Sequence, residues 1–258
     1  MSINSAHLVV ERTIGEQPII IETGKLALQA HGSVVVKKGD TVVLATAVMA
    51  DKARADIDFL PLTVEFEERL YSAGKIPGSF FRREGRPAAE AILSCRLTDR
   101  SIRPLFPKGM HNEVQIILTV LSADPEHPPE ILGMIGASAA LSISKIPFEG
   151  PVGSCRVAYL DGGYIVHPTY EQINESRLNM VISSNEEAII MVEAGSNEVS
   201  EEVILEGIKQ ARLANLETIA LIKEIQSVAG QPKLAINADP DEMTELESQI
   251  KSLVLDNM

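Results

Sequence analysis

Phe80-Phe81-Arg82-Arg83-Glu84-Gly85-Arg86-Pro87 sets two adjacent aromatic rings beside three arginines, in a chain with no Trp and only 4% aromatic residues. The run before it, Ser72 to Ser79, carries Gly74, Pro77 and Gly78, which marks a turn-rich approach. Aromatic rings stack on bases of any identity, and guanidinium forks pair with phosphate. The loop therefore offers one partner for each half of a nucleotide. The same residues also fit a hairpin whose phenylalanines plug a core while its arginines are solvated.

Downstream, Pro87 suits the first turn of a helix, and Ala88 to about Ile102 has good helix formers with no Gly or Pro before Arg103-Pro104. On that helix Arg96, Arg100 and Arg103 fall at i, i+4 and i+7, on one face. Asp99 is spaced to hold part of this stripe but cannot balance three cations, so an anion site is expected there. Upstream, Phe59 to Glu67 alternates apolar and polar residues, so a strand delivers the loop.

Charge agrees with one local site. The 258-residue chain carries a formal −13, yet residues 1–110 hold 15 basic against 13 acidic groups, and the window 80–108 holds 7 against 3. Such a body repels a polyanion except at that window, which favours threading over general adhesion. The N-terminus lacks the pattern of a secretory signal and no apolar run reaches the length of a membrane span, so a cytoplasmic protein is expected. Cys95 and Cys155 are read as reduced thiols, and the five histidines show no ligand spacing, so no metal site is expected in this segment.

Strands are expected at Leu8–Val10, Pro18–Ile21, Leu26–Ala30, Ser33–Val36, Thr41–Val48, Val114–Leu121, Val152–Tyr159, Tyr164–Val166, Leu178–Ile182 and Ala188–Val192. Lys38-Gly39-Asp40 and Asp161-Gly162-Gly163 read as hairpin turns. A small-residue core helix is expected from Glu130 to Ser144, and a long amphipathic helix from a Ser200 cap to Val228, ended by Gly230-Gln231-Pro232. A last acidic helix pattern lies near Asp241 to Leu253. The order gives an α+β fold with mixed sheets backed by helices.

Phe80 to Arg86, the run Arg96-Leu97-Thr98-Asp99-Arg100-Ser101-Ile102-Arg103-Pro104-Leu105-Phe106-Pro107, and Met134-Ile135-Gly136-Ala137-Ser138-Ala139-Ala140-Leu141 resemble the N-terminal core of bacterial polynucleotide phosphorylases, over roughly residues 5–230. The resemblance implies an RNase PH-like core (ribosomal protein S5 domain 2-like) at 1–230, and the start of an all-α helical domain at 231–258. It implies 3′-to-5′ phosphorolysis of RNA, with inorganic phosphate as co-substrate and nucleoside diphosphates as products, reversible to polymerisation and acting in mRNA turnover. It further implies a homotrimeric ring around single-stranded RNA, and partners in an RNA-degradation complex.

By the same resemblance Phe80, Phe81, Arg82 and Arg83 belong to a loop constricting the channel, with Arg86 close by. Arg96, Arg100 and Arg103 are then placed on the RNA or phosphate path. An active core of this family carries two aspartates six residues apart to hold Mg²⁺. Here Ile173 and Asn179 stand in those places, so this core is expected to carry no catalytic residue, and Mg²⁺ to be bound by a second core beyond Met258. Two alternatives stay open: a free-standing RNA-binding scaffold subunit of an exosome-like ring, and a domain whose arginines bind a small phosphorylated metabolite.

Overall fold

The computed structural model describes residues 7–54, 57–78, 85–236 and 250–254. Four antiparallel strands open the chain: β1 (Leu8–Ile14), β2 (Gln17–Thr23), β3 (Gly32–Lys38) and β4 (Thr41–Ala53). They continue through β6 (Asn112–Ser122) to β5 (Leu62–Glu68), which runs parallel to β6 as the edge strand, so the order is β1-β2-β3-β4-β6-β5. A second, antiparallel sheet is ordered β10-β9-β7-β8, from β7 (Gly153–Leu160), β8 (Gly163–Val166), β9 (Leu178–Ser184) and β10 (Ile189–Ser196). The hairpin turns fall where turn chemistry puts them. Gly39 has φ +56°, and Asp161 and Gly162 have φ +51° and +82°, the doubly positive pair that matches strand twist in a two-residue hairpin.

Four helices fill and cover the sheets: α1 (Ala89–Ile102), α2 (Pro129–Ile143), the short α3 (Tyr170–Glu175) and α4 (Glu201–Ala229). In α2 every residue except Glu130 is buried. It lies on β3 and β4, with α4 and β7 on its other side. Its small residues make this approach possible: a Cβ on Gly136 would sit 2.8 Å from the Ala45 Cβ, and one on Gly32 only 2.0 Å from the Ala140 carbonyl oxygen. The core, including Ile19, Ile21, Ile116, Leu118, Leu132, Ile135 and Leu141, is continuous through both sheets.

Two expectations differ from the structure. Leu26 to Ala30 forms a turn instead of a strand: Ala27 has φ +50°, the Ala30 N–H donates to the Ala27 carbonyl (3.0 Å), and Leu26 and Leu28 are exposed. Ser200 does precede α4 in extended conformation, but its hydroxyl caps no backbone N–H. Beyond α4 the chain stays fastened to the core. Lys233 Nζ donates to the Leu141, Ser142 and Ser144 carbonyls (2.6, 3.1 and 2.8 Å) at the C-terminal end of α2, where the helix dipole favours a cation. Among the described residues no helix is long and apolar enough to cross a membrane.

Candidate nucleic-acid interface

Edge strand β5 runs through a 3-10 turn at Leu70–Ala73 into the arginine-rich stretch, and the chain re-enters the described structure at Gly85. Phe80, Phe81, Arg82 and Arg83 lie outside the described residues. Arg86 is exposed two residues before the N-cap of α1, and no described residue is bonded to it.

Helix α1 packs along β5, and between them lies an open groove of about 470 Å³ lined by Leu62, Thr63, Val64, Cys95, Arg96, Asp99 and Arg100. Of the three arginines spaced i, i+4, i+7, Arg96 and Arg100 line this groove, while Arg103 lines a neighbouring one with Leu60 and Phe106. Arg96 is exposed and makes no hydrogen bond or ion pair to a described residue. Arg100, half-exposed, donates to Glu193 of β10 (2.5 Å) and loosely to the Val192 carbonyl (3.5 Å).

Arg103 is committed to the fold. Its Nε and Nη2 grip the two Asp99 carboxylate oxygens (2.5 and 2.6 Å), while Nη1 and Nη2 donate to the Leu60 and Leu62 carbonyls (3.0 and 3.3 Å). The hydrogen bond with Asp99 raises its pKa further. In the parallel pairing the Pro61 carbonyl accepts from Val114 N–H, so alternate residues Leu60 and Leu62 turn their carbonyls to the outer edge. Arg103 thus blocks the start of that edge against strand addition. A bare groove cation is therefore Arg96, with Arg100 available only against competition from Glu193.

A second constellation lies where the N-terminus of α2 meets both sheets. The Asp124 carboxylate accepts from the backbone N–H of Asp40, Glu126 and His127 (3.0, 2.8 and 2.6 Å), and pairs with His127 Nδ1 at 2.8 Å. Burial works to raise the Asp124 pKa, but the His127 and backbone hydrogen bonds outweigh it and hold it at about 2. Lys38, buried at the end of β3, donates to the His167 carbonyl (2.9 Å), and burial pulls its pKa down to about 8. Arg156 of β7 donates to Glu130 (2.6 Å) and to the Asn179 side-chain oxygen (3.0 Å).

Asn179 is thus the acceptor for a guanidinium, and Ile173 in α3 offers no oxygen. These side chains do not suit a divalent metal, since a fixed cation already occupies the only ligand-capable position of the pair. Among the described residues no three His, Cys, Asp or Glu side chains cluster as a metal site. Sequence reasoning missed this constellation because Lys38, Asp124, Glu130, Arg156 and His167 are far apart in the chain. The one local signal was Asp124 three residues before His127 at a helix start.

Comparison with known proteins places these features. Residues 15–147 match the model of the 3′ exoribonuclease family, domain 1, and residues 150–213 match domain 2. Polyribonucleotide nucleotidyltransferases of Thermomicrobium roseum and Thermus thermophilus are each 51% identical, over 240 and 239 residues, covering 93% of this chain and 30% and 33% of theirs. That of Heliobacterium modesticaldum is 48% identical over 253 residues, covering 97% of this chain and 35% of its own. The chain spans about a third of the length of the curated relatives it matches. Among solved structures, rice (Oryza sativa) Rrp46 shares the fold, with a TM-score of 0.68 at 15% identity over 84% of this chain and 98% of that one. With the first domain alone matching more than half of its residues, the chain belongs to the 3′ exoribonuclease family and has the RNase PH fold.

Proposed function

We propose that this chain is the RNA-guiding first core of a polyribonucleotide nucleotidyltransferase, an enzyme that shortens RNA from its 3′ end by phosphorolysis and releases nucleoside diphosphates. Its relatives at about half identity carry that name, and they favour this reading over a free-standing scaffold subunit. The observation that carries the local role is the uncompensated guanidinium of Arg96 in an open groove beside β5, with Arg86 exposed at the head of the same helix. Phe80, Phe81, Arg82 and Arg83 add stacking and phosphate pairing, worth about 1–3 kcal/mol per stacked base and tolerant of sequence. Arg100 belongs to the path when RNA displaces it from Glu193.

The chemistry is assigned elsewhere. Phosphorolysis needs inorganic phosphate held against the scissile diester and carboxylates for Mg²⁺. In this core the Arg156 guanidinium lies between Glu130 and Asn179, which supports a core without a catalytic residue. Phosphate and Mg²⁺ are then bound by a second core beyond Met258. Assembly as a homotrimer in the cytoplasm, partners in an RNA-degradation complex, and a division into a core at 1–230 and the start of a helical domain at 231–258 complete the reading. The test is binding of single-stranded RNA by fluorescence anisotropy across a salt series. About three phosphate contacts give a log–log slope near −2, at about −0.7 per phosphate. A slope near zero, or no dependence on RNA length, would instead indicate a small-metabolite site.

A further inference from the structure

The constellation at the N-terminus of α2 encloses a small cavity lined by Lys38, His127, Arg156 and His167 with the apolar Ile131 and Leu132. Two buried polar atoms in these walls have no hydrogen-bond partner: Arg156 Nε and His167 Nε2. They belong to neighbouring residues across the β7–β8 hairpin, where the His167 backbone N–H donates to the Arg156 carbonyl at 2.8 Å. His167 is only 9% exposed and is held at φ +54°, a left-handed conformation uncommon for non-glycine residues but adopted by histidine more often than by most. Its carbonyl is fixed there by Lys38. Two unpartnered buried polar atoms on neighbouring residues call for a shared partner.

The partner these atoms lack is defined by their chemistry. An arginine Nε–H is a donor only, so its partner must accept. His167 lies among cations, Lys38 foremost, and is neutral, so its Nε2 either accepts or donates once. A polyatomic anion is excluded by size, because the cavity offers about 10 Å³. That is about the room of one water molecule. Arg156 also has a carboxylate counter-ion already, Glu130 at 2.6 Å, so the site does not call for a second anion.

We propose that this cavity is a binding site for one internal water molecule, which accepts from Arg156 Nε–H and donates to His167 Nε2. The water gives both groups a partner and bridges two side chains of the β7–β8 hairpin beside the start of α2. The inference is independent of the RNA-guiding reading and stands or falls separately.

The test is a crystal structure of the wild-type chain at a resolution that shows ordered solvent, grown without phosphate or sulfate. One water-sized peak within hydrogen-bond distance of both atoms is expected. In solution, the number of long-lived internal waters counted by ¹⁷O magnetic relaxation dispersion falls by one in His167→Leu. A histidine ¹⁵N spectrum of the wild type, which needs no folded variant, should show Nε2 as the unprotonated, hydrogen-bonded nitrogen. Direct contact between the two side chains, no density in the cavity, an unchanged water count in folded His167→Leu, or a protonated Nε2 would each overturn the proposal.

Discussion

Arg96 and Arg103 sit two turns apart on one helix face, yet the structure gives them separable roles, and alanine substitution reads those roles apart. In Arg103→Ala the Asp99 pairing is lost; with the Arg103 and Asp99 side chains 41% and 27% exposed, that ion pair is screened and worth about 0.5–1 kcal/mol. The Leu62 carbonyl loses its Arg103 donor as well, at about 1 kcal/mol where burial is partial, while the Leu60 carbonyl still accepts from the Leu62 N–H (2.9 Å). The total is about 1.5–2 kcal/mol, and at about 2–4 °C per kcal/mol for a chain of this size the melting temperature falls by roughly 3–8 °C. Arg96→Ala removes no bond to a described residue and shifts stability by less than about 0.5 kcal/mol. It should, however, lower the magnitude of the RNA salt slope by about 0.7, one phosphate contact. Calorimetry paired with anisotropy titrations from low to moderate salt measures both variants. An Arg103→Ala protein that melts like wild type while losing a phosphate's worth of slope would refute the division of labour.

Other perturbations follow from the buried polar groups. Glu130→Ala leaves the mostly buried Arg156 uncompensated, and stability should drop by about 3–5 kcal/mol in denaturant melts; a change under about 1 kcal/mol would mean that the pair is solvated. Lys233→Met strips three carbonyls of a donor and should cost about 1–3 kcal/mol, with faster amide exchange at Gln231 and Leu234, which donate to Ile143 and Lys145. Acid should lower the stability of the chain over two pH windows. Burial first, and then Lys38, depresses His167 from 6.5 to about 3, so its share of stability is full above pH 6.5 and is lost as pH falls toward 3. Asp124, held at about 2 against an ordinary 3.8, keeps its share above pH 3.8 and loses it as pH falls through 2. His167→Gln should flatten the upper part of the stability–pH curve and Asp124→Asn the lower part; unchanged curves would show that neither group is coupled to folding.

Much of this fold is written in local pattern. Ser33–Val36 and Thr41–Val48 are β-branched runs separated by a Gly-Asp turn, and they pair as one hairpin because φ > 0 at Gly39 suits that turn. Leu26–Ala30 has similar apolar content but no face to bury. There, side-chain bonds from Thr23 to the Ser33 carbonyl and from Ser33 to the Leu26 carbonyl favour a turn. The short α3 was not anticipated, although Thr169 and Gln172 carry its signal: each side chain bonds the other's backbone N–H, a capping box in four residues.

For the site, spacing on α1 gave the face of the three arginines but not their partners. Arg103 meets carbonyls some forty residues upstream, and Arg100 meets a glutamate in the other sheet. Periodicity records which way a side chain leaves its helix and carries no information about what waits there. The Lys38–His167–Arg156 constellation was illegible for the same reason, since only tertiary packing brings β3, β7 and the start of α2 together.

On the proposed reading this chain guides RNA and another core performs the chemistry. The direct measurement is release of nucleoside diphosphate from a single-stranded RNA by this 258-residue chain, with phosphate and Mg²⁺, beside RNA binding by the same preparation. Salt-sensitive binding without release is expected, with binding lost when Phe80, Phe81, Arg82 and Arg83 are replaced by alanine. Phosphate-dependent release of nucleoside diphosphate from the pure chain would contradict it, and would place a working active site within these residues.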